Sequence, residues 1–132
     1  MKFDDALYKY KAKVLRVVDG DTVQVELDHG CKIFSRQMLR LSDIDAPESR
    51  GASKAQGDKA TDHLTKLLFS LAVNYEDDRL NSEMPMIYVE TLKDSTGKYG
   101  RYLGVLWGVD RDGSLVNIND KMISDGHAVV WP

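Results

Sequence analysis

The chain has 132 residues, of which 42% are hydrophobic and 30% are charged, a composition that suits one soluble domain, 1–132, with a real hydrophobic core. The formal net charge of −3 and the sequence pI near 5.6 exclude nucleic-acid binding by bulk positive charge, because non-specific duplex binders usually have a pI above ~9. No apolar run approaches the ~20 residues of a membrane span, so we expect no membrane partner.

The N-terminus and the single cysteine bear on the compartment. Asp4 and Asp5 stand where a signal peptide carries basic residues, and no apolar segment follows them. Cys31 has no second cysteine for an internal disulfide, which suits a reducing compartment. The sequence therefore indicates a cytoplasmic monomer without an evident protein partner. A secreted protein whose signal peptide had been removed would look the same.

The first part of the chain predicts three consecutive antiparallel strands, at about 8–18, 22–27 and 33–41. The second strand is the clearest, because apolar and polar residues alternate along it. Asp19-Gly20 between the first two strands is a strong hairpin signal, and we expect Gly20 to supply the positive φ of a tight turn. Short turns between consecutive strands predict a meander with this turn at one end of the sheet.

The third strand continues into a charged segment, residues 39–48. Leu39 and Leu41 lie on one face of the strand, which places Arg40 on the other. Pro47 ends the strand, because it has no N–H to donate to a neighbouring strand. A cation and several carboxylates therefore follow one another around a rigid corner, which indicates a site for a metal and a phosphate.

A helix is predicted after this segment. Ser53 followed by Gln56 matches a capping box. An apolar stripe at helical spacing is expected to pack on the sheet, and it consists of Ala60, Leu64, Leu67, Leu68 and Leu71. We interpret the polar segment 73–85 as a solvated loop.

Two more strands are predicted at 86–92 and 102–109. The connecting turn contains glycines and ends in Arg101. We interpret the apolar residues of the last strand, Trp107 among them, as core residues rather than as a surface that stacks on bases.

The end of the chain predicts a short helix, with Asn119 as its N-cap and Gly126 at its C-terminal end. The last residues, 127–132, are expected to form an extended segment. His29 and His127 flank turn glycines and are expected to be exposed to solvent.

Taken singly, the charged motifs are ordinary turns and surface charges. Together they offer a complete set of groups for phosphodiester hydrolysis. Asp21 and Asp45 can share one hard cation, which takes oxygen ligands. Glu48 can hold or deprotonate a water molecule, and Arg40 and Arg101 can bind the non-bridging oxygens of a phosphate through two N–H groups each.

Three segments carry a resemblance to a known family. They are Asp19-Gly20-Asp21-Thr22, then Arg40-Leu41 with Asp45-Ala46-Pro47-Glu48, then Lys98-Tyr99-Gly100-Arg101. In this order they resemble the staphylococcal nuclease (thermonuclease) family. The resemblance implies an α+β, mainly β fold: a five-stranded OB-fold barrel with two or three packed helices. It also implies Ca²⁺-dependent cleavage of DNA and/or RNA with little sequence preference, leaving a 3′-phosphate and a 5′-hydroxyl.

The resemblance also implies a metal site. Asp21 and Asp45 match the carboxylate ligands of one Ca²⁺ ion, and Ala46 matches the residue that contributes its backbone carbonyl. Whether Mg²⁺ can replace Ca²⁺ is left open.

The remaining matches concern the substrate. Arg40 and Arg101 match the two catalytic arginines that hold the scissile phosphate. Glu48 matches the glutamate that acts as general base or orients the attacking water. Lys98 and Tyr99 match positions that contact a terminal phosphate of a bound nucleotide.

Two alternatives to an active enzyme stay open. Some domains of this family have lost the catalytic set and only bind nucleic acid or modified peptides, whereas this chain retains all five charged site residues. The simplest alternative is a small barrel whose acids and arginines form salt bridges at the surface.

Overall fold

The computed structural model describes residues 2, 4, 7–73, 84–96 and 101–131. Lys98 and Tyr99 lie outside the described residues, as do positions 74–83 of the predicted loop. The elements of the described part follow in this order: β1 Lys9–Asp19, β2 Thr22–Asp28, β3 Phe34–Leu41, β4 Ile44–Asp45, a 3-10 turn Gly51–Ser53, α1 Lys54–Ser70, β5 Met86–Thr96, β6 Tyr102–Val109, β7 Leu115–Asn117, α2 Ile118–Ser124 and β8 Val129–Val130.

Five of these strands close into a barrel. Antiparallel pairing links them in the order β3-β2-β1-β5-β6. A parallel pairing of β3 with β6, in which Arg40 pairs with Leu103, joins the two ends. The predicted α+β OB-fold barrel is confirmed, and two helices accompany it in the described part of the chain.

Three short strands were not predicted individually. β7 pairs with the end of β6, where Trp107 pairs with Asn117. β4 and β8 form a two-residue antiparallel ladder, in which Ile44 pairs with Val130 and Asp45 with Val129. The ladder confirms that the end of the chain is extended and places it beside the segment that carries Asp45.

The core lies between the barrel wall and α1. Alternate residues of the strands point inward, as the pattern in β2 predicts. The helix contributes the predicted stripe, of which Leu64 and Leu68 are fully buried. Burial of each such leucine contributes ~1.5–3 kcal/mol. In the part of the chain that the structure describes, neither helix is long and apolar enough to cross a membrane.

Gly20 has a different purpose from the predicted one. Its φ is not among the positive values of the described residues, so the turn does not need glycine for its conformation. A Cβ at Gly20 would lie 2.8 Å from the Cβ of Ala60 in α1 and 2.9 Å from that of Ala46. Glycine is required because the turn, the β4 segment and the helix meet here without space for a methyl group.

Gly57, one turn before Ala60 in α1, also allows a close contact. A Cβ at this position would overlap the backbone of Glu48 and Ser49. Glycine lowers the helix propensity at this position by ~1 kcal/mol relative to alanine. In return, it lets the backbone of α1 lie directly against the Glu48 loop.

One predicted helix cap is confirmed in position only, and the other is wrong. Ser53 is the N-cap residue of α1, but its side chain makes no cap hydrogen bond to the helix. Its hydroxyl donates instead to the carbonyl of Glu48 at 2.9 Å. Asn117, rather than Asn119, caps α2, because its side-chain oxygen accepts a hydrogen bond from the N–H of Asp120.

The buried side chain of Asn119 connects three parts of the chain through hydrogen bonds. Its Oδ1 accepts from the N–H of Leu106 at 3.0 Å. Its Nδ2 donates to the carbonyls of Ser42 at 3.1 Å and Gly104 at 3.0 Å. The side chain therefore joins α2 to β6 and to the segment that follows β3.

The structure also corrects two predicted environments. Trp107 is half-buried and lies on the outer face of the barrel, whereas the neighbouring Leu106 is fully buried inside. His127 is half-buried rather than exposed, because its ring stacks on that of His63 with 4.2 Å between centroids. His63 in turn contacts Asp125, with 2.7 Å between Nε2 and Oδ2.

Candidate active site

One cavity of about 310 Å³ collects the charged residues singled out in the sequence. It opens where the β1–β2 turn, the end of β3 and the beginning of β6 meet. Its lining residues are Asp19, Asp21, Arg40, Ser42, Asp43, Asp45, Ala46, Glu48, Arg101, Leu103 and Trp131. Six residues predicted as site residues from sequence thus line a common space, although they come from three separate segments of the chain.

Arg40 occupies the centre of a charge network. Its guanidinium lies 3.1 Å from Oδ2 of Asp21 and 3.6 Å from Oδ1 of Asp45. It also donates to the carbonyl of Ile44 at 3.1 Å. The register of β3 explains its position, because Arg40 pairs with Thr22 on one side and with Leu103 on the other.

Asp21 is held more rigidly than Asp45. Its Oδ2 accepts from the N–H of Ala46 at 2.9 Å, and its Oδ1 accepts from the hydroxyl of Thr22 at 3.0 Å. The Asp21 side chain is 8% exposed, whereas that of Asp45 is 44% exposed. One carboxylate is thus fixed by protein donors, and the other faces the solvent of the cavity.

Glu48 lies on a loop that neighbouring elements hold in place. Asp19 accepts a hydrogen bond from the N–H of Ser49 at 3.3 Å, and Ser53 holds the Glu48 carbonyl. The Glu48 side chain itself is 67% exposed and lies 3.6 Å from the guanidinium of Arg50. The backbone is therefore fixed while the carboxylate is open to water.

Arg101 reaches the cavity from the beginning of β6. Its guanidinium donates to the hydroxyl of Thr22 at 3.1 Å, the same hydroxyl that donates to Asp21. Thr22 thus connects the second arginine to the carboxylate that contacts the first one.

Trp131, which the sequence left unassigned, also lines the cavity. The β4–β8 ladder and a hydrogen bond from the N–H of Trp131 to the carbonyl of Asp43, at 2.9 Å, bring the end of the chain to the cavity. The indole ring lies 5.4 Å from Cζ of Arg40, within the range of a cation–π contact. Its only sequence signal is an aromatic residue near the end of the chain.

Asp19 was also overlooked individually. It belongs to the Asp-Gly-Asp-Thr motif, but its position two residues before Asp21 does not indicate that the two aspartates have different roles. In the structure it holds the Glu48 loop through Ser49.

The donor set of the cavity suits a hard cation. Asp21, Asp45 and the Ala46 carbonyl offer oxygen atoms, and no cysteine or histidine lines the cavity among the described residues. The described residues contain no group of three or more acidic, histidine or cysteine side chains arranged around one metal position. A Ca²⁺ ion takes ~6–8 oxygen ligands, so water or substrate oxygens would have to complete the set.

A family comparison assigns the chain to the staphylococcal nuclease family. The model of the family described as "Staphylococcal nuclease homologue" matches residues 38–132. The chain is 31% identical to the micrococcal nuclease of Shigella flexneri, over 90% of this chain and 57% of that protein. It is 29% identical to an uncharacterized protein of Methanocaldococcus jannaschii, over 98% of this chain and 63% of that protein. It is 31% identical to protein ParB of Escherichia coli, over 89% of this chain and 55% of that protein. The chain thus spans little more than half the length of these relatives.

Proposed function

Because the chain belongs to the staphylococcal nuclease family, we propose that it hydrolyses phosphodiester bonds of DNA and/or RNA in a Ca²⁺-dependent reaction with little sequence preference. The name of the relative in Shigella flexneri, a micrococcal nuclease, supports a nuclease. The observation that carries the proposal is one cavity lined by two arginines and five carboxylates, among them Asp21, Asp45 and Glu48.

The two arginines bind the scissile phosphate. Arg40 and Arg101 enter the cavity from β3 and β6, so their N–H groups can hold different non-bridging oxygens. Fixed guanidinium donors stabilise the negative charge that grows on those oxygens as water attacks phosphorus. Arg40 is already oriented by Asp21 and Ile44, which limits the reorganisation that the reaction needs.

The carboxylates divide into two roles. Asp21, Asp45 and the carbonyl of Ala46 would hold the Ca²⁺ ion, which, when bound, neutralises part of the phosphate charge. Glu48 is open to solvent at the rim and accepts a proton from the attacking water, or orients that water. The attacking water oxygen bonds to phosphorus as the bond from phosphorus to the 5′-oxygen breaks, and the departing oxygen takes a proton from solvent. The products are therefore a 3′-phosphate and a 5′-hydroxyl. By their match to the family, Lys98 and Tyr99 would contact a terminal phosphate of the nucleotide.

A plasmid-nicking assay tests the proposal. We expect nicking with Ca²⁺, none with EDTA, and a loss of ~10²–10³ in rate for Arg40→Ala, because one preorganised donor is removed. Arg36→Ala is the matched control, since Arg36 lies on the same face of β3 but does not line the cavity.

Equal nicking by wild type and Arg40→Ala would refute the assignment of Arg40. Nicking that persists in EDTA would refute the metal dependence. Binding of DNA without metal-dependent nicking would assign the chain to the non-catalytic binding modules of this fold.

A further inference from the structure

A second cavity adjoins the cavity that contains Arg40. It has a volume of about 520 Å³ and is lined by Gln56 and Lys59 of α1, by Pro47, and by the segment that leads from α2 into β8. Asp45 and Ala46 line both cavities, so the segment that carries them forms a wall common to the two. We call this second space the flanking cavity.

Two contacts fix the flanking cavity relative to the active site. The β4–β8 ladder pairs Asp45 with Val129, which lines the flanking cavity. On the other side, the Gly20 turn lies against both Ala46 and Ala60, the residue that follows Lys59 in α1. Helix α1 and β8 therefore hold their lining residues beside the segment that carries Asp45.

The charges of the flanking cavity favour an anion. Its carboxylate, Asp45, lies 3.6 Å from the guanidinium of Arg40 and is a metal ligand in the proposed reaction. Its lysine, Lys59, is exposed and makes no hydrogen bond or ion pair with another residue in the part of the chain that the structure describes. The preceding Asp58 contacts Lys54 instead, at 2.9 Å. The ammonium group of Lys59 is therefore available to a ligand.

The other lining groups suit a nucleotide. Gln56 lies three residues before Lys59 on α1, so the two side chains are neighbours on the helix surface. Its exposed amide makes no hydrogen bond among the described residues and can donate to a phosphate or a base. Pro47 and Val129, which is 64% exposed, add apolar surface for a sugar.

The substrate itself requires a place next to the active site. A polynucleotide that is cleaved in its interior continues on both sides of the scissile phosphate, and its next phosphate needs a position just outside the cavity of Arg40. Resting on the proposed nuclease function, we propose that the flanking cavity binds the nucleotide beside the scissile bond, with the phosphate of that nucleotide at Lys59 and Gln56.

This contact acts on affinity and not on the chemical step. Lys59 lies outside the cavity in which water attacks phosphorus, so its interaction is the same before and during the reaction. An interaction that is equal in the two states lowers KM and leaves kcat unchanged. It also requires a substrate with at least two phosphates.

Cleavage of two substrates tests the flanking cavity. With a 12-nucleotide DNA strand and Ca²⁺, Lys59→Gln should raise KM about two- to fivefold, the range of an exposed ion pair, at an unchanged kcat. With a dinucleoside monophosphate, whose scissile phosphate is its only phosphate, the rise in KM should be absent.

Gln56→Lys provides the opposite change at the neighbouring position. A second cation beside Lys59 should lower KM for the strand by about two- to fivefold. Lys66→Gln is the matched control, because Lys66 is exposed on α1 and lines neither cavity. Its KM for the strand should equal that of wild type.

A binding measurement gives a readout that does not depend on cleavage. Fluorescence anisotropy in EDTA, with the labelled strand, reports the Kd as a function of salt. Loss of one phosphate contact in Lys59→Gln should reduce the slope of log K against log salt by about 0.7, whereas Lys66→Gln should keep the slope of wild type.

Equal KM values and equal salt slopes for wild type and Lys59→Gln would overturn the flanking cavity. An equal rise in KM with both substrates would overturn it too, because the effect would then arise at the scissile phosphate. Strand binding that depends on Lys59, without Ca²⁺-dependent cleavage, would support the flanking cavity and refute the proposed nuclease. Cleavage that is insensitive to Lys59 would do the reverse.

Discussion

At the scale of single residues, Arg40 is the side chain on which most cavity contacts converge. Two carboxylates, the carbonyl of Ile44 and the ring of Trp131 surround its guanidinium. The sequence predicted the position of Arg40, because Leu39 and Leu41 had to point inward. It could not predict Trp131 as a neighbour, because a two-residue ladder far along the chain creates that contact.

Trp131 should therefore position Arg40. Trp131→Leu removes the cation–π contact, worth ~0.5–1 kcal/mol at an exposed site, so we expect kcat of plasmid cleavage to fall by about two- to fivefold. Trp131→Phe keeps a ring over the guanidinium and should restore most of the rate. Equal kcat values for wild type and the leucine variant would show that the ring does not orient Arg40.

Asn119 is the residue whose loss should cost most stability outside the apolar core. Asn119→Ala leaves the buried N–H of Leu106 without its acceptor and two carbonyls without their donor, so urea unfolding should show a loss of about 2–4 kcal/mol. Asn117→Ala removes only the cap of α2 and should cost ~1 kcal/mol. A smaller loss for Asn119 than for Asn117 would contradict this connecting role.

At the scale of elements, helices α1 and α2 are joined by charged groups. Asp125, just after α2, accepts from Lys121 at 2.8 Å and contacts His63 of α1 at 2.7 Å. The hydrogen bond from Lys121, together with that from His63, lowers the pKa of Asp125 below its usual value. The charged form of Asp125 is therefore favoured by folding.

This shift predicts a pH dependence of stability. Because the folded-state pKa is depressed, the stabilisation is present above the unfolded pKa of ~3.9 and is lost as pH falls through the folded value. Asp125→Asn should lower the free energy of unfolding at pH 7, and the difference from wild type should shrink below about pH 4. Asp62→Asn, on the exposed face of α1, is the control, and a pH-independent difference for Asp125→Asn would contradict the argument.

The long strands and α1 could be predicted from the sequence, because alternation and helical spacing report burial residue by residue. The cap hydrogen bonds could not. The hydroxyl of Ser53, the N-cap residue of α1, donates to the nearby carbonyl of Glu48 instead. The Asn119 amide donates to the carbonyls of Ser42 and Gly104, in other parts of the chain, and caps no helix. β4, β7 and β8 are too short to carry a pattern, and their pairing depends on the finished barrel.

At the scale of the whole molecule, the net charge of −3 has the same sign as the polyanionic substrate that we propose. Two arginines placed in the cavity can hold the phosphate although the chain has no excess of positive charge. Binding of nucleic acid should weaken as salt rises, because it releases counterions.

If Asp21 and Asp45 bind Ca²⁺, the ion should raise the free energy of unfolding of the whole molecule. At a hundred times its Kd, a ligand that binds only the folded state adds ~2.7 kcal/mol, which a thermal-shift measurement detects as a higher Tm. Asp45→Asn removes a half-exposed ligand and should abolish the shift, whereas Asp58→Asn on α1 should keep it. An unchanged Tm with Ca²⁺, or an equal rise in Asp45→Asn, would refute the metal site.

Gly20 and Gly57 allow α1 to contact the β1–β2 turn and the Glu48 loop. This contact has a consequence for the order in which activity and structure are lost on heating. The helix is the common support behind both loops, while the barrel strands are tied to each other by their own ladders. Partial detachment of α1 would release Asp21 and Glu48 from their relative positions before the strands separate. Inactivation should then precede global melting, and a cooled sample should regain its activity as the helix re-docks.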